Sequence, residues 1–350
     1  MPPDAVDADL IVLRPQGLYC PPGDFYIDPW RPVERAVITH AHADHARAGH
    51  RRYLCSAEGA ALLRARLGDV ELQALAWGET IERQGVRLSL HPAGHVLGSA
   101  QVRVEHRGRV WVASGDYFVG AGGERNPSCS AFEPQRCDCF ITESTFGLPI
   151  YRWRPQAEVL ADIGAWWQHN AEAQRPSLLL AYSLGKGQRL LAGIDASIGP
   201  VRVHPAVEAL NAAYRAAGVA LAPCSPVDAA SRAELSRALV IAPPAVHGSA
   251  WARRLGEFSD AFASGWMQLR GARRRQGVDR GFVLSDHADW PGLQSAIRAT
   301  GAERIIVTHG YEAVMVRWLR EQRLQADAFR TEFGDEAAEA VHVDSRSAAS

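Results

Sequence analysis

Ile38 to His50 reads ITHAHADHARAGH, four histidines and one aspartate within thirteen residues, directly after an apolar run. Neutral imidazoles beside a carboxylate are donors for zinc and related first-row ions. His40 and His42 lie two apart at the end of a short apolar run and can face the same side. Asp44 and His45 follow where the chain should turn. Charge and spacing suggest two cations, with His40 and His42 serving one, Asp44 and His45 the other. This loop alone has too few ligands for both. His95 in HPAGHVLGSA, Asp116 in VASGDYF and His309 in IIVTHGYE each lie at or just beyond an apolar run. Strand ends could carry them to one edge of a sheet, and the two oxygens of Asp116 could bridge two ions.

Those positions require a scaffold of strands. Residues 10–145 contain LIVLR, AVITH, RYLCS, VRLSLH, AQVRVE and RVWVASGD, several with alternating apolar residues. CFITES (139–144) is a compact apolar strand ending in a polar cluster. Ser56 is expected to cap a helix that runs through Leu67. From about 150 the texture changes. RPQAEVLADIGAWWQH has helical apolar spacing with Pro155 in its first turn. SLLLAYS, a helix from Lys186 to Asp195, VRVH, a helix from Pro205 to Ala217, and ALVIAPP follow. After Arg280 come GFVLSDH, a helix near 290–299, RIIVTHG and a helix near 312–322. Such alternation predicts βαβ layers with parallel strands.

Of the 350 residues, 47% are hydrophobic and 22% charged, a globular composition. The formal net charge is -1, so a nucleic-acid partner would need a local basic patch. Six cysteines are too sparse for a disulfide framework, and the C-x-C pair Cys137 and Cys139 lacks a second pair to complete a zinc site. They read as ordinary thiols. The first residues, MPPDAVDADL, lack the basic and apolar regions of a secretory signal, and no run reaches the roughly 18 apolar residues of a membrane span. A cytoplasmic protein with no membrane association is expected.

The ligand set H-x-H-x-D-H, with a later His, an Asp and a final His, resembles the metallo-β-lactamase fold. The resemblance implies an α/β protein built as an αββα sandwich, with two divalent metal ions at the sheet edge. His40, His42, His95 and Asp116 would hold one ion, and Asp44, His45, Asp116 and His309 the other. Zinc is the expected ion, with manganese, iron or nickel as substitutes. Asp28 in FYIDPW matches a further family position and would orient a ligand histidine by hydrogen bonding. The plainer reading is a turn aspartate before Pro29. His50 and His91 match nothing and read as surface or satisfied core residues.

About 190 positions separate Asp116 from His309, more than the remaining strands need. Residues 149–280 are therefore expected to form a domain inserted between sandwich segments 1–148 and 281–350. This arrangement resembles the β-CASP subfamily of metallo-β-lactamase proteins, which act on nucleic acids. Its motifs place Glu143 in ITESTFG, His287 in VLSDHADW and His309 in THGYE. A histidine at the last position is more typical of RNA-acting members. By resemblance, His287 is the leaving-group acid or a phosphate contact, and Glu143 hydrogen-bonds it and raises its pKa. Asp44 completes the implied catalytic set. Asp286 is an alternative orienter, and a structural role is the plainer reading of His287.

GLYCPPGDFYIDPWRPVERAVITHAHADHA, SGWMQLRGARRRQGVDRGFVLSDHADW and RIIVTHGYE are similar to the bacterial ligase-associated DNA exonucleases, a family also described as mRNA 3′-end processing factors. This implies a metal-dependent DNA exonuclease that hydrolyses phosphodiester bonds in DNA repair, beside an ATP-dependent ligase and a helicase. Two cations roughly 3.5–4 Å apart would supply a nucleophile from water and neutralise the phosphate. RNA is the alternative substrate. An inactive scaffold subunit would have broken ligands, and every expected ligand is present. A small thioester hydrolase shares the sandwich but needs no inserted domain.

Substrate contacts are sketched by two stretches. YSLGKGQRLL (182–191) fails as a nucleotide P-loop, with Leu at 180 and Gly at 187. It reads as a strand-to-helix turn in which Ser183, Lys186 and Gly187 could hold a phosphate, or as a plain helix start. RGARRRQGVDR contains Arg270, Arg273, Arg274 and Arg275, which could track a nucleic-acid backbone or form a solvated face.

Overall fold

In the strands Val86–Pro92 and Ala100–His106, residues Val86, Leu88 and Leu90 and residues Ala100, Val102 and Val104 are buried at every second position. The strands pair antiparallel, with Leu88 opposite Val104 and Leu90 opposite Val102, so one face carries the apolar side chains. The strand Cys139–Ser144 is instead buried at every position. It lies mid-sheet, parallel to Arg109–Ala113 on one side and Arg304–Gly310 on the other, and both its faces are covered.

These elements belong to a computed structural model that describes residues 8–271, 274 and 277–333. A seven-stranded sheet runs in the order 325–328, 304–310, 139–144, 109–113, 100–106, 86–92 and 80–83. A six-stranded sheet takes its strands in chain order from Val12–Arg14 to Leu72–Leu75. Between them Leu18, Phe25, Ile27 and Val37 meet Leu88, Val102, Trp111 and Ile141. Each such side chain contributes about 1.5–3 kcal/mol when fully buried.

The outer faces are closed by helices. Leu62 and Leu63 of Ala60–Leu67 cover Ala36, Ile38 and Tyr53 of the six-stranded sheet. Leu293 and Ile297 of Trp290–Thr300, with Met315 and Leu319 of Glu312–Glu321, cover Phe140, Ile305 and Val307. The result is an αββα sandwich, as the resemblance implied. Trp290–Thr300 is bounded by local chemistry: Asp289 accepts from the Gly292 N–H, Pro291 sits in the first turn, and Gly301 stops the helix at φ +67°. The helix expected from Ser56 begins only at Ala60. Ser56 Oγ accepts from Gly59 N and donates to the Gly98 carbonyl, which binds it to a neighbouring loop.

A third sheet has six strands, ordered 225–226, 201–203, 239–242, 177–180, 259–263 and 280–282, all pairing in parallel. Its runs Ser177–Leu180 and Leu239–Ala242 are buried at every residue. Val159, Ile163, Trp166 and Trp167 of Gln156–Glu172 pack on one face, and Val227, Leu255 and Met267 on the other. Pro155 caps that helix from outside its first turn. The last strand, Arg280–Phe282, straddles the boundary expected at 280. All six cysteines are free. Among the described residues, no helix is long and apolar enough to cross a membrane.

Candidate metal centre

The parallel strands bring their ends together at one edge of the sandwich. His40, His42 and His45 follow the strand Arg35–Val37, Asp116 follows Arg109–Ala113, and His309 ends Arg304–Gly310. One ligand atom from each of His40, His42, His95 and Asp116 lies within 4.8 Å of the others. His45, Asp116 and His309 form a second such group. Asp116 belongs to both. Its Oδ2 lies 3.5 Å from His40, 3.4 Å from His45 and 3.9 Å from His95, while Oδ1 lies 3.1 Å from His309. Asp44 stands at the margin, half-buried and 3.5 Å from His45 Nε2.

The hydrogen-bond network assigns the ring tautomers. His95 Nδ1 lies 2.9 Å from the Asp286 carbonyl and His42 Nε2 lies 3.2 Å from the Leu184 carbonyl. A carbonyl only accepts, so each of those nitrogens carries the proton and the lone pair lies on the other. Thr39 donates its hydroxyl to Asp28 at 2.5 Å and therefore accepts from His40 Nδ1 at 3.0 Å. The lone-pair nitrogens that remain, His40 Nε2 and His95 Nε2, each stand 3.1 Å from His42 Nδ1. Three lone pairs aimed at one another repel, and a cation among them converts repulsion into coordination.

Electrostatics divide the two groups. Burial pushes His40, His42 and His95 below the usual imidazole range, so they are neutral donors. Burial also acts on His45 and His309, but carboxylates outweigh it and hold both above that range: Asp44, Asp116 and Asp28 for His45, and Asp116 for His309. Burial opposes the Asp116 charge too, yet the imidazoles around it, His45 foremost, hold its carboxyl well below the ordinary value. Among the described residues, His45 Nε2 and His309 Nδ1 are buried without a hydrogen-bond partner. Buried polar atoms of this kind are costly unless a ligand satisfies them. The donor set therefore fits divalent cations.

Bound cation should accordingly raise the unfolding midpoint. At a free concentration a hundredfold above Kd the gain is about 2.7 kcal/mol, a shift of about 4 °C in a thermal melt of a chain this long. Because His45 and His309 hold their protons tightly, uptake should release protons and weaken as pH falls from about 8 to 6. Calorimetry in two buffers of different ionisation enthalpy measures that release. Equal apparent heats in both would contradict it.

Asp28 is buried and accepts from the Thr39 N–H, the Thr39 hydroxyl and His45 Nδ1 at 2.7, 2.5 and 2.7 Å. It thereby fixes His45 directly and His40 through Thr39. Its φ of +42° suits Asp or Asn better than most residues. Asp28→Asn should keep the backbone but weaken cation affinity about 10–100-fold in chelator competition. Gly115, at φ +56°, lets the chain before Asp116 pass Thr39, where a Cβ would sit 2.7 Å from the Thr39 Cβ.

His287 and Glu143 also converge here. His287 Nδ1 lies 2.9 Å and 3.0 Å from the two Glu143 oxygens, and Glu143 Oε1 also accepts from Tyr117 N at 2.8 Å. The His287 ring packs 4.5 Å from that of His95. Asp286, the alternative orienter, turns away to Lys186 at 3.5 Å and Arg189 at 3.2 Å.

Substrate contacts read from the sequence come out differently. Lys186 and Gly187 are buried, and Ser183 is half-buried. The Gly187 N–H bonds the Tyr182 carbonyl and the Gly185 N–H bonds Gln188, so neither is presented to a phosphate. The reading of Lys186 and Gly187 as phosphate contacts is corrected: a lysine in an internal ion pair does not reach solvent. Arg270 and Arg274 are exposed, while Arg273 and Arg275 lie outside the described residues. His50 is buried and accepts from Val33 N, and burial lowers its pKa to about 4. The sequence reading missed Thr39, the Leu184 carbonyl, Arg189, and Phe333, whose ring stacks on His45 at 4.4 Å. Adjacency to His40 was the one signal for Thr39.

An αββα sandwich with histidines and carboxylates gathered at its strand ends is the metallo-β-lactamase class of fold. A crystal structure of an Enterococcus faecalis V583 protein of unknown function shares the architecture, with a TM-score of 0.54 and 11% identity over 86% of this chain and 80% of that one. No family model matches. The chain is 35% identical over 314 residues to a protein of Opitutus terrae named "Probable DNA ligase", covering 89% of this chain and 30% of that protein. It is 30% identical over 126 residues to the endoribonuclease ysh1 of Schizosaccharomyces pombe, covering 35% and 16%. It is 28% identical over 125 residues to the cleavage and polyadenylation specificity factor 73 of Drosophila melanogaster, covering 36% and 18%. The chain thus spans less than a third of the length of each of these three relatives. The likenesses and the fold together are those of the β-CASP group of metallo-β-lactamase proteins, which this chain resembles.

Proposed function

We propose that this chain is a two-metal nuclease, a DNA exonuclease that trims ends in repair. The observation that carries the reading is Asp116, which belongs to both donor groups, with Oδ2 beside His40, His45 and His95 and Oδ1 beside His309. In this reading His40, His42, His95 and Asp116 hold one divalent ion, and Asp44, His45, Asp116 and His309 the other, with zinc the first choice. When bound, such a pair would acidify water and neutralise the phosphate. The chain's own residues do the rest. Glu143 holds His287 by Nδ1, so proton exchange with the leaving oxygen falls to Nε2. The buried rings of His40, His95 and His287 keep bulk water from the phosphate.

DNA is the favoured substrate because the relative named as a ligase contains a stretch that matches most of this chain. That likeness also supports work beside a DNA ligase; an ATP-dependent ligase, a helicase partner and a cytoplasmic setting extend the same proposal. Segments 1–148 and 281–350 form the sandwich in this reading, and 149–280 the inserted domain. Arg270 and Arg274 would then meet the backbone of the substrate. Likeness to endoribonucleases favours RNA as the second reading.

The test is digestion of end-labelled DNA and RNA of one sequence by chelator-stripped protein reloaded with zinc, manganese, iron or nickel. DNA shortening from an end, absent in His42→Ala, is expected. Preferential RNA cleavage would reverse the order of substrates. No cleavage with any metal would reject the nuclease reading.

A further inference from the structure

Two of the three neutral histidines in the metal centre are oriented by the layer that packs beside the sandwich. His42 is held by the carbonyl of Leu184, in the turn after strand Ser177–Leu180, and His95 by the carbonyl of Asp286, just past strand Arg280–Phe282. A peptide carbonyl aims a lone pair only if its own backbone is immobile. The helix Lys186–Gly193 is placed to immobilise both. Lys186 and Arg189 are 0% and 2% exposed, and both reach the Asp286 carboxylate. Arg189 also donates to the Ser285 carbonyl and to Gln156, and lies over the Phe118 ring at 4.3 Å. Gly185 brings the same turn against Val96, the neighbour of His95, so closely that a Cβ would overlap the Val96 side chain.

We infer that Lys186, Arg189 and Asp286 form a buried clamp by which the third sheet's layer aims His42 and His95 at their cation, so that metal affinity depends on this packing. These are positioning residues, since none faces the ligand atoms. Ion pairs this deeply buried would be a costly arrangement for packing alone, where apolar residues of the same volume serve as well or better. The clamp makes sense if fixed carbonyl geometry is what it maintains, as outer hydrogen bonds do for metal-ligating histidines.

The inference rests on the reading of this cluster as a metal site, and its test separates the two. Chelator-stripped full-length chain is titrated with cobalt, followed by visible absorption and by competition with a chelator. Asp286→Asn and Lys186→Met should weaken binding about 10–100-fold and shift the cobalt bands. Val203→Ala, in the third sheet's core but not one of the clamp's ion-pair residues, should lower the melting temperature and leave both readouts unchanged. Asp286→Asn is nearly isosteric and carries the test should Lys186→Met fail to fold. Wild-type affinity and spectrum in the clamp variants would overturn the inference. Equal weakening in Val203→Ala would also overturn it, since affinity would then follow general stability. A wild-type chain that binds no cobalt would remove the metal reading itself, and the inference with it.

Discussion

Asp116→Asn should cost the proposed nuclease at least about a thousandfold in kcat/KM, or roughly 4 kcal/mol. The change is nearly isosteric, so the effect is one of charge. One oxygen of Asp116 faces His40, His45 and His95, and the other faces His309. An amide offers one neutral oxygen and directs an N–H at the opposite imidazoles, so both groups lose an anionic donor together. Metal analysis should find substoichiometric cation even at saturating zinc. The pH dependence follows from the direction of the shift. A carboxyl held below its ordinary value keeps its charge throughout neutral pH, and the stability that charge lends is lost only as pH falls through the depressed pKa. The defect of Asp116→Asn should therefore persist across neutral pH, and narrow as pH falls toward about 6, where protons on His45 and His309 already weaken wild-type uptake. A variant that kept full metal content and activity would refute the shared-ligand geometry.

His287→Ala should behave in the opposite way, losing turnover while keeping metal. A positioned acid contributes about 10²–10⁴-fold to such a reaction. The expected signature is a fall in kcat of that size with little change in KM, together with loss of the acid's limb from the pH–rate profile. Glu143→Gln retains an oxygen near His287 Nδ1 but removes the charge, and should show an intermediate loss. There is a sharp alternative. Asp116, Glu143 and His287 also present ligand atoms within 4.8 Å of one another. If His287→Ala lost an equivalent of metal, His287 would be a ligand instead of a proton donor. Unchanged turnover with full metal would leave it a purely structural histidine.

The candidate ligands stood out in the sequence because their chemistry is scarce and their places are regular. His40, His95, Asp116 and His309 each lie at the end of an apolar run, and parallel strands end on one edge. What failed to show was whatever depends on burial or on backbone atoms. Gly185-Lys186-Gly187 looks the same whether it holds a phosphate or fills an interior, and the carboxylate that decides the matter is about a hundred positions away. Leu184 acts through its carbonyl, so its side chain carries no signal. Ser56 accepts from the Gly59 N–H as a cap would, but residues 57–59 form a turn and the regular helix starts only at Ala60. Alternation of strands and helices made parallel βαβ layers legible, while the αββα sandwich followed only from the resemblance carried by the histidine and aspartate motif. The third sheet's last strand crossed the expected boundary because the chain leaves one sheet only three residues before Ser285, where the approach to His287 begins.

The strand Cys139–Ser144 has a consequence for how the protein is made. One of its neighbours, Arg109–Ala113, is synthesised before it, while the other, Arg304–Gly310, leaves the ribosome some 160 residues later. At translation rates of about 5–20 residues per second, its unpaired backbone N–H and C=O groups wait on the order of ten seconds for a partner. A nascent chain stalled before Arg304 would expose that ladder as a sticky rim. The long parallel-stranded segment can complete its own sheet during that wait, so premature termination between Phe282 and Arg304 should yield insoluble product.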